Sequence, residues 1–140
     1  MHLLDTDTLT YLHAGHERVI EHLRLLEDPV VGTTIITRIE ILRGRFDFVL
    51  KAATGAELLR AQQLLAHSEE LLAQILIVPL DEAAAIQFER LRLTKGIRKI
   101  GRADLLVASI ALAQRATLVT RNLRHFRQIS GLRLSNWVDE

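Results

Sequence analysis

Short apolar runs and amphipathic stretches alternate along this chain of 140 residues. Leu3-Leu4 reads as a brief buried strand. From about Thr8 to Leu26 apolar positions recur at helical spacing, and Gly15 breaks them into one or two helices that end by Asp28-Pro29. Val30-Val31-Gly32-Thr33-Thr34 is a second strand, β-branched and apolar. Helix resumes with Ile35, Ile36, Ile39 and Leu42 on its apolar side and is expected to fray near Gly44. A long amphipathic helix spans roughly Thr54 to Gln74, and Ile75-Leu76-Ile77-Val78-Pro79 is a third strand. Asp81 is a natural N-cap for the helix that follows. Gly96 and Gly101 bracket a basic loop, Ile97-Arg98-Lys99-Ile100, after which Asp104 opens a very apolar helix. Thr117-Leu118-Val119-Thr120 is a fourth strand, followed by a short helix and a last strand, Leu132-Arg133-Leu134.

Strands separated by helices imply parallel pairing, right-handed crossovers and helices on both faces. The expected fold class is α/β: a three-layer α/β/α sandwich with a central, mainly parallel sheet. The length suits one domain over residues 1–140, with no linker, repeat or low-complexity segment. With 49% hydrophobic residues and no cysteine, the core must hold without disulfides or thiolate metal sites. No apolar run is long enough to span a bilayer, and no basic segment leads into an apolar one at the start. A cytoplasmic protein is the expectation.

A net charge of +1 hides an asymmetry. Residues 90–140 hold eleven Lys and Arg against three Asp and Glu, whereas residues 1–89 hold seven against fourteen. A basic C-terminal third suits a polyanionic partner, since Lys and Arg release counterions from phosphates. Pairing with the acidic part of the chain explains the same excess.

Polar residues at element boundaries supply the candidate chemistry. Asp5 follows the first strand, Glu40 lies just past the second, Asp104 opens a helix and Asn122 follows the fourth strand. In a parallel sheet the ends carrying Asp5, Thr34 and Thr120 share one edge, where open α/β sheets bind ligands. Each has a purely structural alternative. Asp5 or Asp7 caps a helix, Thr37-Arg38-Ile39-Glu40 matches a capping box, Asp104 complements a macrodipole and Asn122 is an ordinary N-cap. Taken together, three carboxylates on one point repel unless a cation offsets them. Oxygen ligands of this kind suit magnesium or manganese better than zinc.

At these residues the chain resembles PIN domains, and among them the VapC ribonuclease toxins of toxin–antitoxin pairs. The likeness rests on Leu3-Leu4-Asp5-Thr6-Asp7, Thr34-Ile35-Ile36-Thr37-Arg38-Ile39-Glu40, Asp104-Leu105-Leu106-Val107-Ala108-Ser109, and Thr120-Arg121-Asn122 followed by Phe126 and Gly131-Leu132. Each block alone is weakly specific; four in order are strong. The resemblance implies an endoribonuclease dependent on Mg2+ or Mn2+, with Asp5, Glu40 and Asp104 as metal ligands and Thr120 organising the pocket. Asn122 and Thr120 would position the attacking water. It also implies an RNA substrate, a cognate antitoxin as partner and a homodimer, with no membrane role. Arg98, Lys99, Arg102, Arg121 and Arg124 are the candidates for RNA backbone contacts. The family often carries a fourth acid just before the phenylalanine that matches Phe126. Here His125 stands in that place, which bears on whether a second metal binds, and Asp7 partly offsets the lost charge.

Two rival readings stay open. Asp5-Thr6-Asp7-Thr8-Leu9 also resembles the opening motif of haloacid-dehalogenase-type phosphatases, with Asp5 as nucleophile and Asp7 as acid/base. That chemistry needs a lysine clamp and a late pair of acids, whereas Asp104 stands alone and only Lys95 and Lys99 precede it in a loop. A catalytically weak PIN-like module that binds RNA or protein is the other. His13 and His16 beside Glu17 are read as helix-surface histidines rather than a zinc site, and Trp137 as packing rather than base stacking.

Overall fold

The computed structural model describes residues 1–97 and 100–140. Its strands are β1 (His2–Leu4), β2 (Val31–Thr34), β3 (Leu76–Val78), β4 (Thr117–Val119) and β5 (Arg133–Ser135). They pair in the order β3-β2-β1-β4-β5, and every pairing is parallel. The helices between them are α1 (Thr6–His13), α2 (Glu17–Leu25), α3 (Ile35–Lys51), α4 (Gly55–Ala73), α5 (Glu82–Arg92), α6 (Arg102–Gln114) and α7 (Leu123–Phe126). The expected α/β sandwich is observed, with a sheet that is parallel throughout the described residues.

Alternation along β1 sets the layers. Successive strand side chains face opposite ways, so Leu3 packs with Leu91, Ile110, Leu118 and Phe126 while Leu4 packs with Leu9, Val19, Leu72 and Val119. Both leucines are fully buried, and each contributes on the order of 1.5–3 kcal/mol. The Leu3 face carries α5, α6 and α7, and the Leu4 face carries α1, α2 and α4. Helix α3 bridges the two, since Ile35 and Ile36 join the first cluster and Ile41 and Leu42 the second. Trp137 is buried in the second cluster, stacked on His22 with ring centroids 5.7 Å apart, as the packing reading expected.

Several boundaries differ from the expectation for identifiable reasons. Helix α1 starts at Thr6 rather than near Thr8, because Asp5 caps it by accepting from the Thr8 N–H at 2.9 Å. Gly15, at φ +81°, turns the chain between α1 and α2, so that region is two helices. Helix α3 does not fray near Gly44 but continues to Lys51. An exposed glycine costs a helix roughly 1 kcal/mol, and packing against α4 outweighs that, with Arg45 Nε donating to Ser68 Oγ at 3.0 Å just past the glycine. Helix α6 begins at Arg102 with Gly101 as its cap, so Asp104 sits inside the first turn instead of opening it. Asp81 caps α5 as read, accepting from the Ala84 N–H at 2.9 Å.

The strand order reverses beside β1: the chain runs outward to β2 and β3, then crosses to β4 on the other side. A crevice opens at the carboxyl ends of the strands at such a switch point. Leu4 lies level with Thr33 and Val119, which puts Asp5, Thr34 and Thr120 on one edge.

Candidate active site

Asp5 leaves β1 at this edge, and its position is fixed on three sides. Its backbone N–H donates to Val119 O at 3.0 Å, its Oδ1 accepts from the Thr8 N–H, and the Thr120 hydroxyl hydrogen-bonds its carboxylate. Burial pushes the Asp5 carboxyl above its ordinary value, against these hydrogen bonds, with Asp7 adding a smaller push the same way. Thr120 is fully buried, and its Oγ1 also accepts from the Asn122 N–H at 3.0 Å. One hydroxyl thus joins the acid after β1 to the turn after β4.

Glu40 reaches the same opening from α3. Thr34 caps that helix by accepting from the Thr37 N–H at 3.2 Å, so Thr37 and Glu40 lie inside the helix and do not form a capping box. Glu40 is free to turn outward, and its Oε1 accepts from Thr6 Oγ1 at 2.7 Å. The buried Thr37 hydroxyl lies 3.2 Å from the same Thr6 oxygen. Asp104 comes from the first turn of α6. Burial raises its carboxyl above the ordinary value, the charges of Glu40 and Asp5 raise it further, and His125 pulls it back.

These side chains line a cleft of about 460 Å³ whose wall is Asp5, Thr6, Asp7, Glu40, Asp104, Val107, Arg121, Asn122 and Asp139. Asn122 precedes α7 without capping it through its side chain; its Nδ2 donates instead to His125 Nδ1, 3.0 Å away. Among the described residues no three His, Asp or Glu side chains converge tightly enough to hold an ion unaided. The acids share a cleft rather than a cage, which fits a hard cation that keeps part of its water shell. The donors are all oxygen, and a cation would relieve the repulsion that raises Asp104.

The structure brings Asp5, Glu40, Asp104, Asn122 and Thr120 together at one edge of the sheet. It does not gather the basic candidates there. Arg121 lines the cleft, but the guanidinium of Arg102 lies over the Phe88 ring, 5.2 Å from its centroid, and Arg124 is exposed on α7 outside the wall. Arg98 and Lys99 lie outside the described residues. Lys95 is not in the wall either, so the phosphatase motif has no lysine partner among the described residues. His13 is exposed, in keeping with its reading as a helix-surface histidine, whereas His16 departs from that reading: it precedes α2, packs edge-on against Tyr11 and has its Nδ1 buried.

The profile of the PIN domain family matches residues 2–132. The chain belongs to the PIN domain family. It is 26% identical over 142 residues to Ribonuclease VapC1 of Haemophilus influenzae (strain R2866), an alignment covering 99% of this chain and 98% of that protein. Ribonuclease VapC2 of Rickettsia felis is 55% identical over 38 residues, which are 27% of this chain and 28% of that protein. A crystal structure of VapBC2 from Rickettsia felis, bound to a DNA fragment from their promoter, superposes with a TM-score of 0.76 at 26% identity, covering 97% of this chain and 98% of that one.

Two residues in the wall of this PIN domain cleft, Thr6 and Asp139, and one behind it, Tyr11, escaped the sequence reading. Thr6 stands between two acids with no role of its own in the motif, although its hydroxyl meets Glu40 on α3. Tyr11, one turn into α1, donates nothing to the pattern by spacing, yet its hydroxyl accepts from Arg121 Nη1 at 3.0 Å. Asp139 lies past β5, and the parallel register of that strand was the signal that its end returns to the same edge.

Proposed function

We propose that this PIN domain, residues 1–140 acting as one domain, is an endoribonuclease that hydrolyses RNA phosphodiesters with a divalent cation, Mg2+ or Mn2+. In this reading it is the toxin of a toxin–antitoxin pair. The observation that carries it is the cleft: Asp5, Glu40 and Asp104 come from three elements to one opening at the switch point of the sheet. Family membership and relatives named ribonuclease VapC support the same activity. The VapBC2 complex supports a cognate antitoxin as partner. Phe46, Phe48 and Leu50 are exposed at the end of α3, apolar surface that supports a protein partner or a second copy. No helix among the described residues is long and apolar enough to cross a membrane. Action in the cytoplasm goes with RNA as the substrate.

Asp5, Glu40 and Asp104 would hold the ion. When bound, it supplies positive charge to the scissile phosphate and its leaving oxygen. The chain's own residues do the positioning. Thr6 aims Glu40, Thr120 aims Asp5, and Asn122, its amide held by His125, orients the attacking water. Arg121 contacts the RNA backbone, and Arg98, Lys99, Arg102 and Arg124 are the further candidates for that contact.

Asp5→Asn tests the assignment on a defined single-stranded RNA. Asparagine still caps α1, so the circular dichroism spectrum stays unchanged while cleavage falls by at least about 100-fold. Undiminished cleavage in a clean preparation overturns the assignment. RNA binding without turnover at any Mg2+ or Mn2+ concentration favours the binding module, and hydrolysis of a small phosphomonoester with RNA left intact favours the phosphatase.

A further inference from the structure

The acidic cleft has a single cation in its wall among the described residues, Arg121, and that cation already holds an anion. Arg121 Nε donates to Asp139 Oδ2 at 3.0 Å and Nη2 donates to Asp139 Oδ1 at 3.2 Å, a two-pronged fork. The third nitrogen, Nη1, donates to the Tyr11 hydroxyl, and the guanidinium carbon lies 5.5 Å from the centre of the Tyr11 ring. Tyr11 therefore braces the guanidinium from one side while its fork faces the carboxylate.

Asp139 is delivered by a built turn rather than by a loose tail. Asn136 Oδ1 accepts from the N–H of Val138 at 3.0 Å and of Asp139 at 3.1 Å, and Asn136 Nδ2 donates to Asp139 Oδ2 at 3.0 Å. Arg18 Nη1 donates to the Asp139 backbone oxygen at 2.7 Å, and Trp137 anchors the turn in the core. Arg121 and Asn136 hold the Asp139 carboxyl below its ordinary value, so it stays anionic.

A carboxylate and a phosphodiester offer an arginine fork the same pair of acceptor oxygens. The Arg121–Asp139 pair is also easy to exchange. The two side chains are 40% and 49% exposed, and ion pairs that open to water are weakly held. A pair kept only to brace the fold has no need to stand in the wall of the cleft.

We infer that Asp139 is a resident stand-in for a substrate phosphate: it fills the Arg121 fork in the free protein, and a phosphate of bound RNA displaces it while Tyr11 keeps the guanidinium in place. The inference rests on the RNA-cleaving reading above. It makes the turn at residues 136–139 an internal competitor that lowers affinity for polyanions, and it makes Arg121 the phosphate-recognising member of an otherwise acidic site.

The test is binding of a fluorescently labelled single-stranded RNA oligonucleotide, followed by anisotropy in EDTA, with cleavage by the wild type in Mg2+ assayed in parallel. Asp139→Asn removes the competing charge but leaves the backbone contacts of Asn136 and Arg18; Asp139→Ala is the second variant should asparagine perturb the turn. Either variant binds about three-fold tighter, the order of an exposed pair. Arg121→Gln binds more weakly, and Asp139→Asn adds nothing in that background. No gain from either Asp139 variant overturns the inference, as does a gain that persists undiminished beside Arg121→Gln, which is a general charge effect. If the wild type binds and cleaves RNA and Asp139 has no effect, only this inference fails. If the wild type neither binds nor cleaves RNA, the proposed function fails with it.

Discussion

The Thr6 hydroxyl donates to Glu40 Oε1 at 2.7 Å, joining the first residue of α1 to an acid on α3. The contact spans the crevice mouth, because α1 and α3 start from neighbouring strands. An exposed glutamate on a helix samples several rotamers, so its aim into the cleft depends on that hydroxyl.

Thr6→Val keeps the size and removes the donor. Glu40 remains but is no longer aimed, and loss of such a supporting contact costs about 10–100-fold in metal affinity or activity. The expected result is a higher half-saturating Mg2+ or Mn2+ concentration for RNA cleavage, with the unfolding midpoint nearly unchanged. Unaltered metal dependence would show that Glu40 needs no such support.

Asp104 predicts opposite effects on activity and stability. Its folded-state value lies above the unfolded one, through burial and the charges of Glu40 and Asp5. A raised carboxyl favours folding fully below the unfolded value near pH 4, and that contribution is lost as pH rises through the folded value. At neutral pH the ionised group therefore opposes folding. Asp104→Asn is expected to abolish cleavage while raising the melting temperature of the metal-free protein by roughly 1–3 °C at pH 7, a gain that vanishes toward pH 3. Added Mg2+ stabilises the wild type and not the variant; a variant that melts lower at pH 7 would contradict the repulsion.

Local signals carried the fold further than they carried the site. The alternation of strands and helices, the Asp81 cap and the break at Gly15 are written in neighbouring residues, and the structure follows them. The helix through Gly44 was not legible, because its stability comes from α4, a partner distant in sequence. The acids Asp5, Glu40 and Asp104 were readable from their places at element ends. Thr6, Tyr11 and Asp139 were not, since each matters only through a side chain brought to it by the sheet: Glu40 for Thr6, Arg121 for the other two. The charge excess of the C-terminal third misled in the opposite way. Arg92 spends its charge on Glu89 at 2.8 Å, and among the described basic residues Arg121 is the one in the wall.

Gly32 is a constraint on strand pairing. A Cβ placed there would stand 2.6 Å from the backbone oxygen of Leu76 on β3, which cannot swing away as a side-chain tip can. Gly32→Ala is expected to cost about 1–3 kcal/mol, the range for overpacking a tight site. Urea unfolding measures it, as a lower midpoint with the slope preserved. A neutral result would mean that β3 yields at this edge without loss of its pairing.

In the proposed reading, His125 sets how many cations the cleft takes. The histidine lowers the Asp104 carboxyl, and its Nδ1 lies 3.0 Å from the Asn122 amide, so it offsets part of the negative charge where an acid would add to it. With Asp139 paired to Arg121, carboxylates at Asp5, Asp7, Glu40 and Asp104, and no tight cage among the described residues, one cation is the expected load of the wild type. His125→Asp adds an anionic oxygen ligand beside Asp104 and still accepts from the Asn122 amide. Calorimetric titration with Mn2+ is expected to find one ion in the wild type and a second, weaker one in the variant. The metal dependence of RNA cleavage should steepen in parallel. The metal-free variant should also melt lower at pH 7 than the wild type, because it puts a further like charge beside Asp104, and the difference should disappear when Mn2+ is present. One ion in both proteins, with identical metal dependence, would mean that residue 125 acts only through Asn122.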